Sequence, residues 1–94
     1  MIRKILRYAI RPEEERAVLA AIEEFVRAVH STEPLTTYEA YRVQGTYRFT
    51  HFMVFPDQEA EANHRQAPYT LRFANTLYPR CAEQPVFAEL DRIA

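Results

Sequence analysis

Tyr47-Arg48-Phe49-Thr50-His51-Phe52-Met53-Val54-Phe55 is the stretch on which the architecture turns. Its side chains alternate: Tyr47, Phe49, His51, Met53 and Phe55 share one parity, and Arg48, Thr50, Phe52 and Val54 the other. That is the period of a β-strand, and both of its faces are largely apolar. A strand apolar on both sides needs cover on both sides, which the helices of one short chain can hardly supply. The reading is therefore a sheet whose face bearing Phe49, His51, Met53 and Phe55 packs on a second copy, burying a patch too large to leave in water. A homodimer follows as an expectation.

The segments around this strand complete the pattern. Gln44-Gly45-Thr46 holds the only glycine of the chain, where a hairpin needs positive φ, and ahead of it Thr36–Val43 is rich in β-forming residues. Ile2–Ile10 also alternates, with Ile2, Leu6, Tyr8 and Ile10 on one side. Pro12 and Glu13-Glu14-Glu15 mark a helix start, followed by Val18, Leu19, Ile22, Phe25, Val26 and Val29 as one apolar stripe at helical spacing. His30 falls at the end of that helix, suited to the negative end of its dipole. Asp57 is an N-cap for a second helical region from Gln58 to Gln66, Pro68 breaks that region, and Tyr69, Phe73 and Leu77 continue it on one face. Arg80–Gln84 reads as a turn and Val86–Ile93 as a last strand. The order β-α-β-β-α-β predicts an α+β, ferredoxin-like sheet with helices on one face, in a single domain over residues 1–94.

Composition removes several functions. A net charge of −1 over 94 residues excludes broad electrostatic attraction to nucleic acid. One glycine excludes a Gly-rich phosphate loop. Cys81 and three scattered histidines give no metal-ligand spacing, so no metal site is expected. Charge interrupts the Met1–Arg7 start before any leader-type apolar run forms, and nothing approaches a membrane span, so the expectation is a cytoplasmic protein. What stands out is six Tyr and six Phe with no Trp. Rings in excess of core needs face a partner or a ligand cavity.

Two histidines are candidates for chemistry. His51 is a polar group on an aromatic strand face, and His64 lies in Ala62-Asn63-His64-Arg65 of the second helical region. An unperturbed imidazole titrates near neutral pH and suits proton transfer, while a core histidine bonded to backbone and a surface helix residue are the plain alternatives. The ligand cavity is expected between the sheet and the second helical region, lined by His51, Phe55, His64 and Tyr38.

The run Phe55-Pro56-Asp57-Gln58-Glu59-Ala60-Glu61-Ala62-Asn63-His64-Arg65, with Pro68-Tyr69, Phe73, Thr76–Cys81 and the segment Glu33-Pro34…Thr37-Tyr38-Glu39, resembles the antibiotic-biosynthesis-monooxygenase-like family of dimeric α+β barrels. The resemblance spans essentially the whole chain. It implies oxidation of a small quinol- or phenol-like aromatic substrate by O2 with no bound cofactor, with His51 and His64 as catalytic candidates. Tyr38 and Tyr41 would orient the substrate oxygen, and Phe49, Met53 and Phe55 would stack its ring. Three departures matter. Phe55 stands where the family typically has Trp, Leu35 follows Pro34 where a Gly is common, and Ala74 lies near the histidine position of haem-degrading members. Haem degradation is thereby disfavoured. The competing reading is a dimer of the same fold that binds a small ligand without turnover, because fold does not dictate activity.

Overall fold

The computed structural model describes residues 1–94. Its strands are β1 (Ile2–Ile10), β2 (Thr37–Arg42), β3 (Arg48–Phe55) and β4 (Cys81–Leu90), and its helices are α1 (Glu15–Thr32), α2 (Gln58–Gln66) and α3 (Pro68–Leu77). The strands form one antiparallel sheet in the order β2-β3-β1-β4. This is the α+β, ferredoxin-like arrangement that the order of elements predicts.

Local chemistry accounts for each boundary. Pro12 opens a short 3-10 turn that leads into α1, and Gly45 at φ 76° makes the β2–β3 hairpin. Nothing lies near the missing Cβ of Gly45, so its requirement is conformational, not steric. Asp57 caps α2 by accepting the Ala60 N–H at 2.8 Å. Pro68 forces Ala67 into an extended conformation (φ −63°, ψ 144°), which ends α2 and lets α3 start afresh with proline in its first turn. At the end of α1, His30 Nε2 donates to the Tyr38 carbonyl at 3.0 Å, tying the helix end to β2.

Two expectations are corrected. The last strand begins at Cys81, not Val86, and stops at Leu90. The register against β1 shifts between Arg7 and Ile10, so β4 spends extra residues there, and Pro85 sits in that irregular stretch of an edge strand. Such an edge tolerates a proline and polar neighbours that read as a turn.

The second correction concerns the β3 face. Phe49, His51, Met53 and Phe55 are all buried within the one chain, under α1 and α3. Phe25 and Val29 of α1 and Phe73 and Leu77 of α3 pack on them in one core, together with Leu6, Tyr8 and Ile10 of β1. Helices α1 and α3 therefore cover the face that was expected to meet a second copy. The opposite face carries Ile5, Tyr41, Phe52, Val54, Val86 and Ala88 and has no helix over it. No helix is long and apolar enough to cross a membrane.

Candidate functional site

Between the inner face of the sheet and the α2–α3 pair lies a cavity of about 330 Å³, large enough for one aromatic ring system. Tyr38 and Met53 line it from the strands, Phe25 from α1, His64 from α2, and Phe73 and Leu77 from α3. Phe55 adds a wall whose ring centroid lies 5.0 Å from that of His64. At the rim, Lys4 Nζ meets Glu61 Oε2 at 3.2 Å, with Arg65 3.5 Å from the same oxygen. The break at Pro68 matters here. It separates α2, which brings His64 and the rim charges, from α3, which brings the apolar floor.

Of the seven residues singled out for the site, the structure brings Tyr38, Met53, Phe55 and His64 to the cavity wall. The other three stand elsewhere. Tyr41 is on the opposite face of the sheet and more than half exposed, because β2 alternates and Tyr38 takes the inner parity. Phe49 packs beside Tyr8, with ring centroids 5.5 Å apart, deep in the core.

His51 has no exposed surface and does not reach the cavity. Its Nε2 lies 2.7 Å from the Tyr8 hydroxyl and its Nδ1 2.8 Å from the Tyr38 hydroxyl. Burial pushes its pKa down to about 4, so the ring is neutral at physiological pH. A neutral imidazole donates from one nitrogen and accepts at the other, so one tyrosine accepts from the ring, the other donates to it, and both ring nitrogens are occupied. Burial also raises both phenols above the ordinary tyrosine value, and nearby groups that would carry negative charge raise them further: Cys81 for Tyr8, and Tyr8 and Glu33 for Tyr38. His51 therefore anchors Tyr38, which forms part of the wall.

His64 is differently placed. Its Nδ1 lies 2.8 Å from Glu33 Oε2, and since a carboxylate accepts, Nδ1 carries the proton. Tyr69 donates its hydroxyl to the same oxygen. The Tyr69 phenol is held above its usual range, by burial first and then by its bond to Glu33. Nε2 of His64 makes no hydrogen bond within the protein. Glu33, Tyr69 and Tyr8 were not among the expected site residues. Glu33-Pro34 enters the sequence reading only through the family resemblance, and no spacing rule links positions 33, 64 and 69. Cys81 is excluded as a nucleophile: its thiol donates to the Leu77 carbonyl at 3.4 Å, and burial raises its pKa against the lowering effect of Arg11.

Comparison with known proteins decides the family, because the antibiotic biosynthesis monooxygenase profile matches residues 1–76. The chain belongs to the antibiotic biosynthesis monooxygenase family. Among solved structures it is similar to an antibiotic biosynthesis monooxygenase with TM-score 0.90 and 22% identity, each chain covered in full. It is also similar to Rv0793 from Mycobacterium tuberculosis (TM-score 0.88, 17% identity, 99% of this chain and 95% of that one). A conserved protein from Methanosarcina mazei Go1 matches with TM-score 0.87 and 12% identity, over 97% of this chain and 91% of that one. No curated protein matches the sequence. At these identities the structural matches speak for the fold.

Proposed function

We propose that this chain is a monooxygenase that oxidises a small quinol- or phenol-like substrate with O2 in the cavity between the sheet and α2–α3. One observation carries the reading. A single imidazole nitrogen with no protein partner, Nε2 of His64, belongs to the wall of an otherwise aromatic and aliphatic chamber. Such a chamber accepts a planar ring against Phe25, Phe55 and Phe73 and keeps water from it. His64 takes the proton of a substrate hydroxyl, and the electron pair left on oxygen makes the ring electron-rich enough to reduce O2. The balance closes without an outside reductant: quinol and O2 give hydroxyquinone and water, the two electrons coming from the quinol itself. Tyr38, anchored by His51, orients the substrate oxygen.

Oxygen uptake with a panel of hydroquinones tests this. The wild-type protein is expected to consume O2 with at least one of them, and His64→Ala to lose about a hundredfold in rate, the usual scale for removing a general base. Because His64 is buried and bonds Glu33, His64→Ala should also lower the melting temperature, so the rates are compared at a temperature where both proteins are folded. A second reading, a ligand-binding protein without turnover, is favoured by Phe55, which offers no ring N–H where relatives typically carry Trp. It predicts quinol binding with no O2 consumption.

We also propose that the protein is a homodimer formed through the helix-free face of the sheet. Val86 on that face is two-thirds exposed in the isolated chain, and Ile5, Phe52, Val54 and Ala88 extend the apolar surface around it. Val86→Asp should therefore leave the fold intact and shift sedimentation at micromolar concentration from dimer to monomer, since an unpaired charge is costly only when buried. A wild-type protein that sediments as a monomer removes the proposal.

A further inference from the structure

We infer that Glu33 is the positioning residue that makes His64 a base, the two forming a carboxylate–imidazole dyad in the wall between the cavity and an outer cleft. The inference deepens the proposed oxidation and rests on it for its catalytic meaning. Its structural content stands on separate observations. Glu33 and His64 are both nearly buried, with side-chain exposures of 13% and 8%, and meet at 2.8 Å from different parts of the fold. Glu33 is the residue that ends α1. Its backbone N–H bonds the Val29 carbonyl at 2.8 Å, and its own carbonyl accepts from Thr36 at 3.1 Å, so the carboxylate projects from a fixed turn. His64 comes from the last turn of α2, and Tyr69 from the first turn of α3. Two donors on one carboxylate oxygen hold that carboxylate from both helices.

The remaining oxygen, Oε1, is buried with no partner. His64 borders both the inner cavity and the outer cleft, whereas Glu33 and Tyr69 border the cleft but not the cavity. The carboxylate thus stands on the far side of the ring from a cavity-bound ligand. Bonding Nδ1–H there fixes the tautomer in which Nε2 is the bare nitrogen. When a phenolic O–H bond breaks and its proton moves to Nε2, the pair stays on the phenolate oxygen. The imidazolium so formed faces the Glu33 carboxylate. Nothing in the dyad changes oxidation state.

Nitrogen NMR of histidine-labelled protein reads the tautomer directly. Wild-type protein at pH 8 is expected to show His64 protonated at Nδ1 and bare at Nε2. Hydroquinone added under nitrogen should move the Nε2 signal. In Glu33→Ala the two tautomers should mix, and hydroquinone should bind about tenfold more weakly, the loss expected for one well-oriented hydrogen bond. Tyr69→Phe, which leaves the Nδ1–Oε2 bond in place, should keep the wild-type tautomer. A wild-type His64 with its proton on Nε2 overturns the inference without any variant, and so does a Glu33→Ala protein with unchanged His64 signals. If the tautomer behaves as expected but no quinol drives O2 uptake, the dyad stands and the oxygenase reading is the one that fails.

Discussion

Phe25→Ala is expected to destabilise the protein by about 3–5 kcal/mol, the range for deleting a buried aromatic ring. The ring is 3% exposed and stacks on Phe73 with centroids 4.6 Å apart and planes parallel within 1°. Its edge meets Tyr38 at 5.1 Å, and His64 and Tyr69 lie within 6.2 Å. The surroundings cannot collapse into the space, because Phe25 already borders the cavity between the sheet and α2–α3 and its removal enlarges an existing void. The neighbouring Glu24 is the control. It pairs with Arg72 at 2.9 Å, but both side chains are 62% exposed, and such pairs contribute little, so Glu24→Ala should change stability by less than about 0.5 kcal/mol. Urea denaturation of the two variants checks the contrast. Equal midpoints would mean that the α1 stripe does not form the core.

Acid should destabilise the fold by about 3 kcal/mol through His51 alone, since each unit of pKa displacement corresponds to about 1.4 kcal/mol. The native pKa of about 4 lies below the value of about 6.5 for an exposed histidine, and burial is the cause. Between these two values the unfolded chain binds a proton that the native chain refuses. Stability is therefore at its full value above about pH 6.5, falls as the pH drops through the window, and has lost this contribution below about pH 4. Tyr8 and Tyr38 are the groups that face the ring from β1 and β2, and neither brings a charge into play in this window. A proton NMR titration of the His51 ring is the direct check, with no protonation expected in the native state above about pH 5. A midpoint near 6.5 would show that the Tyr8–His51–Tyr38 bridge is open to water.

Much of the fold was legible because its signals are local. The α1 stripe shows this well: Val18, Phe25 and Val29 are buried, Ile22 and Val26 pack against them, and only Leu19 departs from the predicted face, at 39% exposure. Gly45, Asp57 and Pro68 act where they stand, since a positive φ, an N-cap and a missing N–H are properties of single positions. The last strand was misplaced because its pairing with β1 slips at an edge, and a register shift around Pro85 leaves no trace in hydropathy.

The site divides in the same way. His64 was found through a motif in one helix, and Tyr38, Met53 and Phe55 through alternation along two strands. Glu33 and Tyr69 were not, because their meeting with His64 depends on where three chain segments end in space. The two histidines that looked alike on paper are opposites in the fold. Alternation places His51 on the inner face of β3, but only packing under α1 and α3 removes it from water and closes both of its nitrogens on tyrosines. Which face of β3 the helices cover is also undecided by periodicity, since both faces are apolar enough to be buried. The connections between strands and helices settle it, by laying α1, α2 and α3 on one side of the sheet, and so they determine which imidazole borders the cavity and which face of the sheet stays without helices. Period and turn chemistry act over a few residues and can be read along the chain, whereas burial, tautomer and cavity arise from contacts between residues some thirty positions apart.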